Sequence, residues 1–493
     1  MFARHLVQLF ERDFKEFAQE DFLIKGISVD SREVRPNYCF FAISGSRADG
    51  HDYIEEAVSR GARVIILQKG HPAAVNSAKR FQNKAIFIAV DEPRMFLAKV
   101  AAEFFDNPAE KLKIVGVTGT NGKTTVSFLV KNLFKSIGQE AGLIGTIYYK
   151  VAGHTLPAKN TTPDTIKINC LLSQMVEHDI KYAVMEVSSH ALDQDRIAGI
   201  KFNTVIFTNL TPEHLDYHKN MGDYFSSKAK LFTNLNPDQF AVINVDDEYG
   251  VRLKKLTKGK IVDFGIVNKK AKVWAEDIKF GLDRTSFVAE MPAGKMKFTT
   301  RLVGKYNIYN ILACICVGVI HGMELSTIGA CVENMDPVPG RLERIQCGQA
   351  FEVFVDYAHT GDALQNVLST LRQLHPRKII TVFGCGGERD RTKRPVMGKI
   401  ASRFSDFLIL TNDNPRGEDE VKIIEDIKKG FGPDFKNYDV VYAREQAIRD
   451  ALEIAKEGDF VLIAGKGHET YQIFKDKTID SDDREIARKI LSG

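Results

Sequence analysis

The chain has no paired Cys-x-x-Cys, no apolar core of the signal-peptide kind near its first residues, no apolar run long enough for a bilayer, and little net charge. Each absence removes a class of function. Seven cysteines, an odd number scattered from Cys39 to Cys385, form neither a disulfide framework nor a zinc knuckle. Cys314 and Cys316 are two apart on a predicted helix and cannot share a face, so all seven are expected to be reduced. A formal charge of +4 over 493 residues gives no strong field of either sign. No basic run interleaved with aromatics marks a nucleic-acid surface, so recognition must rest on local charge. Met1-Phe2-Ala3-Arg4-His5 opens without a signal-type core, and no window approaches the roughly twenty apolar residues that span a membrane. The expectation is a cytoplasmic monomer with neither a transmembrane segment nor a nucleic-acid partner.

What is present is a globular composition, 44% hydrophobic and 27% charged. The length calls for about three domains. Residues 1–108 carry β-rich stretches (Tyr38 to Ile43, Ala62 to Leu67, Ala85 to Ala89) separated by helical spacing, which predicts a small α/β domain. A central unit over 109–336 alternates strands such as Tyr182 to Val187 and Thr204 to Phe207 with helices. Residues 260 to 300 are more strand-like and predict a β insertion before a helix around Asn307 to Gly322. Asp336-Pro337-Val338-Pro339-Gly340 reads as a linker, because two prolines and a glycine in five residues continue neither a helix nor a central strand. A third α/β unit fills 337–493. Its strands, Glu352 to Val355, Ile379 to Phe383, Phe407 to Leu410 and Phe460 to Ala464, are short and apolar, as in a doubly wound, Rossmann-like parallel sheet covered on both faces.

The most informative residues are Gly116-Val117-Thr118-Gly119-Thr120-Asn121-Gly122-Lys123-Thr124. The β-branched Lys113-Ile114-Val115 precedes them, and Val126, Leu129, Val130, Leu133, Phe134 and Ile137 follow at helical spacing. This is a phosphate cradle opening a helix. Backbone N–H groups and the helix N-terminus face phosphate oxygens, Lys123 reaches the terminal phosphates, and Thr124 offers a hydroxyl to Mg²⁺. Val117 stands where the general pattern has glycine, which leaves a chance glycine-rich turn or a specialised subtype.

Polar clusters follow the strands of the third unit: Asp356 to His359, Gly384 to Arg391, Asn412 to Arg416 and Gly465 to Glu469. Ligands of open α/β sheets bind outside the carboxyl ends of the strands, so these clusters should line one mouth. In the middle unit, Glu186 at a strand end, His214 and Lys228 are candidates for work near a metal. His214 and His218 lie four apart, a zinc-compatible spacing that lacks a third ligand, and a histidine pair on a polar helix face is the expected arrangement.

Gly116 to Thr125 resembles the ATP loop of the Mur ligases and their folylpolyglutamate synthase relatives, which accounts for Val117. Val29-Asp30-Ser31-Arg32, Asn160-Thr161-Thr162-Pro163, Glu186 to His190, Gly340 to Glu343, Asp356 to Thr360 and Gly465 to Glu469 are similar, in order, to the branch that adds the third amino acid to the UDP-muramoyl peptide. The resemblance implies ATP contacts at Gly119, Thr120, Asn121, Gly122, Lys123, Thr124, Thr125, Asn307, Arg341 and Asp356, with Asn310 near the adenine. It implies UDP-muramoyl dipeptide contacts at Val29, Ser31, Ser46, Arg47, Ala48, Asn160, Thr161, Thr162, Ser188, Gln194 and Arg196. Lys123, Glu186, His214 and Lys228 would form the catalytic set, with Thr124, Glu186, His214 and Lys228 on Mg²⁺ and Lys228 carrying a CO₂-derived carbamate. His359 is a further polar group of unassigned role.

The implied reaction is ATP-driven amide formation through an acyl phosphate. Asp413-Asn414-Pro415-Arg416 resembles the signature associated with meso-diaminopimelate. Arg416 would grip its far carboxylate, helped by Arg389, Gly465 and Glu469. The alternatives are a lysine-adding ligase of the same family, a folylpolyglutamate synthase, or a P-loop motor.

Overall fold

The computed structural model describes residues 1–9, 21–45 and 48–493. The chain separates into two compact units, Met1–Val115 with Glu140–Asn203, and Gly116–Gln139 with Thr204–Gly493.

The first unit opens with four parallel strands in sequence order, Gly26–Ser28, Tyr38–Phe41, Ala62–Gln68 and Ile86–Val90. Their apolar side chains pack on both faces, alternate residues joining different clusters: Cys39, Phe41, Val64 and Ile66 on one side, Phe40, Ile65 and Leu67 on the other. That is the period-2 logic of a covered parallel sheet. The same unit holds Tyr182–Glu186 parallel to Ala141–Ile144, followed by the antiparallel ribbon Tyr148–Val151 and His154–Pro157. Asp164 caps the helix Thr165–Glu177 by accepting from the Lys167 N–H.

In the second unit, Thr204–Phe207, Phe240–Asn244 and Lys260–Gly265 run parallel. Val273–Lys279, Thr285–Met291 and Gly294–Thr300 extend them, the last two antiparallel, which is the expected β insertion. Helices Lys123–Ser136 and Lys305–Ile320 follow the loop and the insertion respectively, and both are deeply buried.

The last sheet is six-stranded, in the order Glu343–Ile345, Glu352–Asp356, Phe460–Ala464, Ile379–Phe383, Phe407–Leu410, Tyr438–Val440. All its pairings are parallel except that of the first edge strand. Phe354, Phe383, Leu408, Leu410 and Leu462 face Leu364, Leu368, Met397, Ile423 and Ile427. Val353, Val355, Ile380, Val382, Val461 and Ile463 face Ala447, Ile448, Ala451 and Ala487. Helices therefore cover both faces, and the α/β class read from the strand runs is the observed one.

Gly340, at the end of the proline-rich linker, has φ 65°, and a β-carbon there would stand 2.1 Å from the His468 backbone nitrogen. Only glycine lets the linker lie on that loop. The seven cysteines are all free. Among the described residues, no helix is long and apolar enough to cross a membrane.

Candidate active site

The strand Lys113–Thr118 runs into a loop capped by Gly122 in the left-handed region (φ 89°). A β-carbon on Gly122 would meet Asn310 Oδ1 at 2.4 Å, so this glycine admits the helix that brings Asn307 and Asn310 to the loop. Asn310 donates to Asn307 Oδ1 at 3.0 Å, and Asn307 donates to the Val303 carbonyl at 2.8 Å.

Lys123 Nζ donates to the carbonyls of Gly119 (2.9 Å) and Thr120 (2.7 Å). Lys228 Nζ reaches the same Gly119 carbonyl at 2.9 Å from the helix Met221–Thr233. Lys228 is 1% exposed. Burial, reinforced by the Lys123 charge, pushes its amine well below the usual lysine range. No carboxylate among the described residues lies within ion-pair distance of it. Tyr224, one turn earlier on that helix, ties the region together. Its ring lies 4.7 Å from Lys228 Nζ, meets the His214 and His218 rings, and its hydroxyl sits 3.2 Å from Thr120 Oγ1. Thr125 is buried beside Thr124.

Among the described residues, side-chain contacts join this loop region to the third lobe within the same unit. Arg341 Nη2 donates to Thr124 Oγ1 at 3.1 Å, Asn121 Nδ2 donates to Asp362 Oδ2 at 2.7 Å, and His359 Nε2 lies 3.4 Å from Glu213 Oε1. Burial would raise the Glu213 carboxyl. The His359 hydrogen bond and the charges of His214, His359 and Lys123 outweigh it, holding Glu213 well below the carboxylate range. Asp356 accepts from the N–H groups of Leu342 (2.6 Å) and Ala358 (2.7 Å), bracing the linker, while burial raises its pKa. The Arg341 guanidinium lies over the Tyr357 ring at 4.6 Å.

The second polar cluster sits at the strand ends of the third lobe. Asn414 donates to Glu469 Oε2 at 3.0 Å and accepts from the Ile473 N–H at 2.9 Å. The Pro415 carbonyl accepts from the Glu418 N–H, and Asp413 Oδ2 lies against Gly465. Arg416, with φ 54°, donates Nη1 to the carbonyls of Gly387 (2.8 Å) and Asn414 (3.2 Å). Burial and then the neighbouring Arg389 lower its pKa, and Asp413, Glu469 and Glu388 act on it from beyond ion-pair distance. Neither Arg389 nor Arg416 pairs with a carboxylate among the described residues.

In the first unit Glu186 is fully buried, accepting from the Thr146 N–H (3.0 Å) and hydroxyl (2.9 Å). The Thr146 hydroxyl is also 3.0 Å from that of Thr161. Thr162 donates to the Glu186 carbonyl at 2.7 Å and contacts the Ser188 hydroxyl. Arg196 holds the Thr162 carbonyl and Gln194 Oε1, and the Asn160 carbonyl accepts from Tyr149. Ser31 donates to Glu56 at 2.7 Å, and Val29 and Ala48 are exposed on loops of the four-stranded sheet. Ser46 and Arg47 lie outside the described residues.

Asp49, His51 and His71 have the residue types of a metal centre, but their bonds are used otherwise. His51 Nε2 accepts from the Gln68 N–H and His71 Nδ1 from the Ala73 N–H. The opposite ring nitrogens must then be the protonated ones, donating to Asp49 Oδ1 at 2.7 Å and Oδ2 at 3.0 Å. No ring-nitrogen lone pair remains for a cation. Burial would raise Asp49, and the bonds from His51 overcome it, leaving the pKa at about 2.

Comparison with known proteins bears on this arrangement. Residues 23–105 match the model described as Mur ligase family, catalytic domain, residues 117–318 the Mur ligase middle domain, and residues 340–467 the Mur ligase, glutamate ligase domain. The chain is 43% identical over 471 residues to the UDP-N-acetylmuramoyl-L-alanyl-D-glutamate--2,6-diaminopimelate ligase of Clostridium tetani, covering 95% of each chain. The chain belongs to the Mur ligase family. The Aquifex aeolicus protein of the same name is also 43% identical, covering 95% of this chain and 94% of its own. A solved structure of a ligase of that name superposes with a TM-score of 0.66 at 30% identity, covering 94% of both chains.

Within this Mur ligase, Thr124, His214 and Lys228 belong to one compact unit and Glu186 to the other. The expected helix for the histidine pair is not formed. His214 has φ 56°, and its carbonyl accepts from both Tyr217 N–H and His218 N–H, closing a turn instead. An L-residue in that conformation does not propagate a helix. Sequence reasoning missed Glu213, Tyr224 and Asp362. Glu213 was visible beside His214, but only contacts made far along the chain give the three their roles.

Proposed function

We propose that this Mur ligase adds meso-2,6-diaminopimelate to the D-glutamyl γ-carboxylate of UDP-N-acetylmuramoyl-L-alanyl-D-glutamate at the expense of ATP. The observation that carries the reading is the pair Arg389 and Arg416. Both arginines stand beside Gly386 and neither pairs with a carboxylate among the described residues, which suits a ligand that brings its own, and diaminopimelate differs from lysine by that group. The names of the 41–43% identical relatives point the same way.

A carboxylate is a poor electrophile, so it first takes the γ-phosphoryl group of ATP, giving ADP and an acyl phosphate. The free amine attacks the acyl carbon, and the tetrahedral adduct expels inorganic phosphate, leaving the amide and a proton. The loop N–H groups and Lys123 offset charge on the transferred phosphoryl, while Arg341 and Asp356 hold the linker over the nucleotide. Asn160, Thr161, Thr162, Ser188, Gln194 and Arg196 would orient the muramoyl peptide, with Val29, Ser31, Ser46, Arg47 and Ala48 as the uridine diphosphate contacts.

Thr124, His214 and Lys228, all in one compact unit, would hold Mg²⁺. The donor set fits once Lys228 is a carbamate, since an ammonium cannot ligate. Its buried amine, biased toward the neutral form, is the kind that captures CO₂ with loss of a proton. Bound there, the metal would supply charge stabilisation to the phosphoryl oxygens. The enzyme is read as a cytoplasmic monomer.

The test is turnover with ATP, Mg²⁺ and the UDP-dipeptide, comparing phosphate release with diaminopimelate, L-lysine or no amino acid. Release confined to diaminopimelate is expected. Equal release with lysine would defeat the assignment of Arg416, and release without any amino acid would favour a motor.

A further inference from the structure

We propose that Asp362 is a positioning residue that locks the nucleotide loop to the amino-acid lobe, so that the acyl phosphate is spent on the amine and not on water. This rests on the ligase reading above. Asp362 is the second residue of the helix Gly361–Gln373, whose N-cap is already supplied by Thr360, accepting from the Ala363 N–H. Its carboxylate is therefore not needed as the cap, and it turns to other donors.

Oδ2 gathers three of them: Asn121 Nδ2 at 2.7 Å, Asn366 Nδ2 at 3.2 Å and Thr211 Oγ1 at 3.4 Å. Asn366 lies on the same helix, Asn121 in the nucleotide loop 241 residues away, and Thr211 beyond the strand Thr204–Phe207. The other ends of this contact are fixed as well. The Asn121 N–H donates to Asn209 Oδ1 at 2.9 Å, and its carbonyl accepts from Thr208 Oγ1 at 2.6 Å and Asn209 Nδ2 at 3.1 Å. Thr211 exchanges bonds with Thr120, donating its N–H to Oγ1 at 3.0 Å and accepting the hydroxyl at 3.1 Å. With backbone and side chain both engaged, Asn121 cannot tilt without breaking a bond.

Asp362 thus holds the lobe to the loop region through Asn121 and Thr211, beside two other contacts among the described residues. Arg341 to Thr124 engages a hydroxyl that ATP and metal will claim, and His359 to Glu213 is a 3.4 Å contact through a partly exposed ring. Asn121 to Asp362 is the shortest and engages a side chain that is not a candidate metal ligand. Closure of the lobe excludes water, which would otherwise attack the acyl carbon and return the carboxylate and inorganic phosphate. Loosening this contact should uncouple ATP cleavage from ligation.

The experiment measures phosphate released and amide formed by wild type, Asp362→Ala, Asp362→Asn, Asn121→Ala and Asn121→Ala/Asp362→Ala, with thermal melts of each. Loss of the short charge-assisted bond to Asn121, with the longer ones to Asn366 and Thr211, predicts a fall in kcat of about ten-fold for Asp362→Ala, with the KM for ATP within about three-fold. Phosphate released per amide should at least double, roughly, as water gains access. Asp362→Asn, close to isosteric and folded even if the alanine variant is not, should lie between. The double variant should be no worse than the more damaged single, because both remove one contact. Thr360→Ala, which weakens the helix cap alone, should lower Tm and leave the phosphate-to-amide ratio at its wild-type value. A ratio unchanged in both Asp362 variants, or additive losses in the double variant, would overturn the proposal. Failure of wild type to form amide at all would instead overturn the ligase reading.

Discussion

The Asp49, His51 and His71 cluster and the Arg389 and Arg416 pair are both concentrations of charged side chains, yet they have opposite bonding. In the first, Asp49 takes one N–H from each ring and the remaining ring nitrogens accept backbone N–H groups. In the second, Arg416 gives its Nη1 to backbone carbonyls, Arg389 is exposed, and neither pairs with a carboxylate among the described residues. Residue types nominate a site, but what distinguishes a strut from a receptor is whether the fold has already spent the bonds. Lys228 belongs with the receptors, a buried amine that donates to a carbonyl and lies over the Tyr224 ring with no carboxylate partner among the described residues.

That contrast can be broken in graded ways. The largest effect is expected at Lys228: replacement by alanine should abolish ligation, with partial recovery on adding short-chain carboxylates, assayed as amide formed. Full activity in the variant would place Lys228 among the struts and remove the carbamate. Next, Arg416→Ala should raise the KM for diaminopimelate by about 100-fold while the KM for ATP stays within about two-fold; equal shifts in steady-state kinetics would mean that Arg416 does not meet the amino acid. On the strut side, Asp49→Ala should cost about 1–3 kcal/mol of stability in denaturant unfolding, from the two histidine bonds lost. Zinc should leave the wild-type melt unmoved, whereas a real centre would add about 2.7 kcal/mol at a hundredfold excess over Kd.

The smallest effect concerns His468. Burial, reinforced by the Arg341 charge, lowers its pKa to about 3, so the folded protein resists a proton that the unfolded chain accepts below roughly pH 6.5. Its stability contribution is present above that value and lost as pH falls toward 3. His468→Gln should flatten that part of the acid limb in a Tm series, and an identical slope in the variant would count against a neutral buried ring.

The sequence is most readable where local chemistry decides. Strands of the third lobe such as Ile379–Phe383 and Phe460–Ala464 fall where short apolar runs end in polar, glycine-rich clusters, and the β insertion appears where expected. The loop glycines and the Asp413 to Arg416 cluster are likewise visible because backbone shape and side-chain type suffice to nominate them. His214 and His218 mislead, since i,i+4 spacing implies a helix only if the backbone can supply one, and His214 turns left-handed. Asp362 is invisible for a different reason. An acidic residue in a first turn has an ordinary explanation in the helix dipole, and its bond to Asn121 spans 241 residues. The Asp49 cluster hides similarly, because His71 joins from the start of another helix.

Gly340 carries one more implication. With the linker backbone seated directly on the loop that bears His468 and Glu469, the joint has no side chain to act as a spacer or bearing. Any swing of the linker must therefore drag that loop with it, and the wall beside Arg416 would move in step with Arg341. Amino-acid grip and nucleotide grip would then open and shut together, as two jaws on one pin.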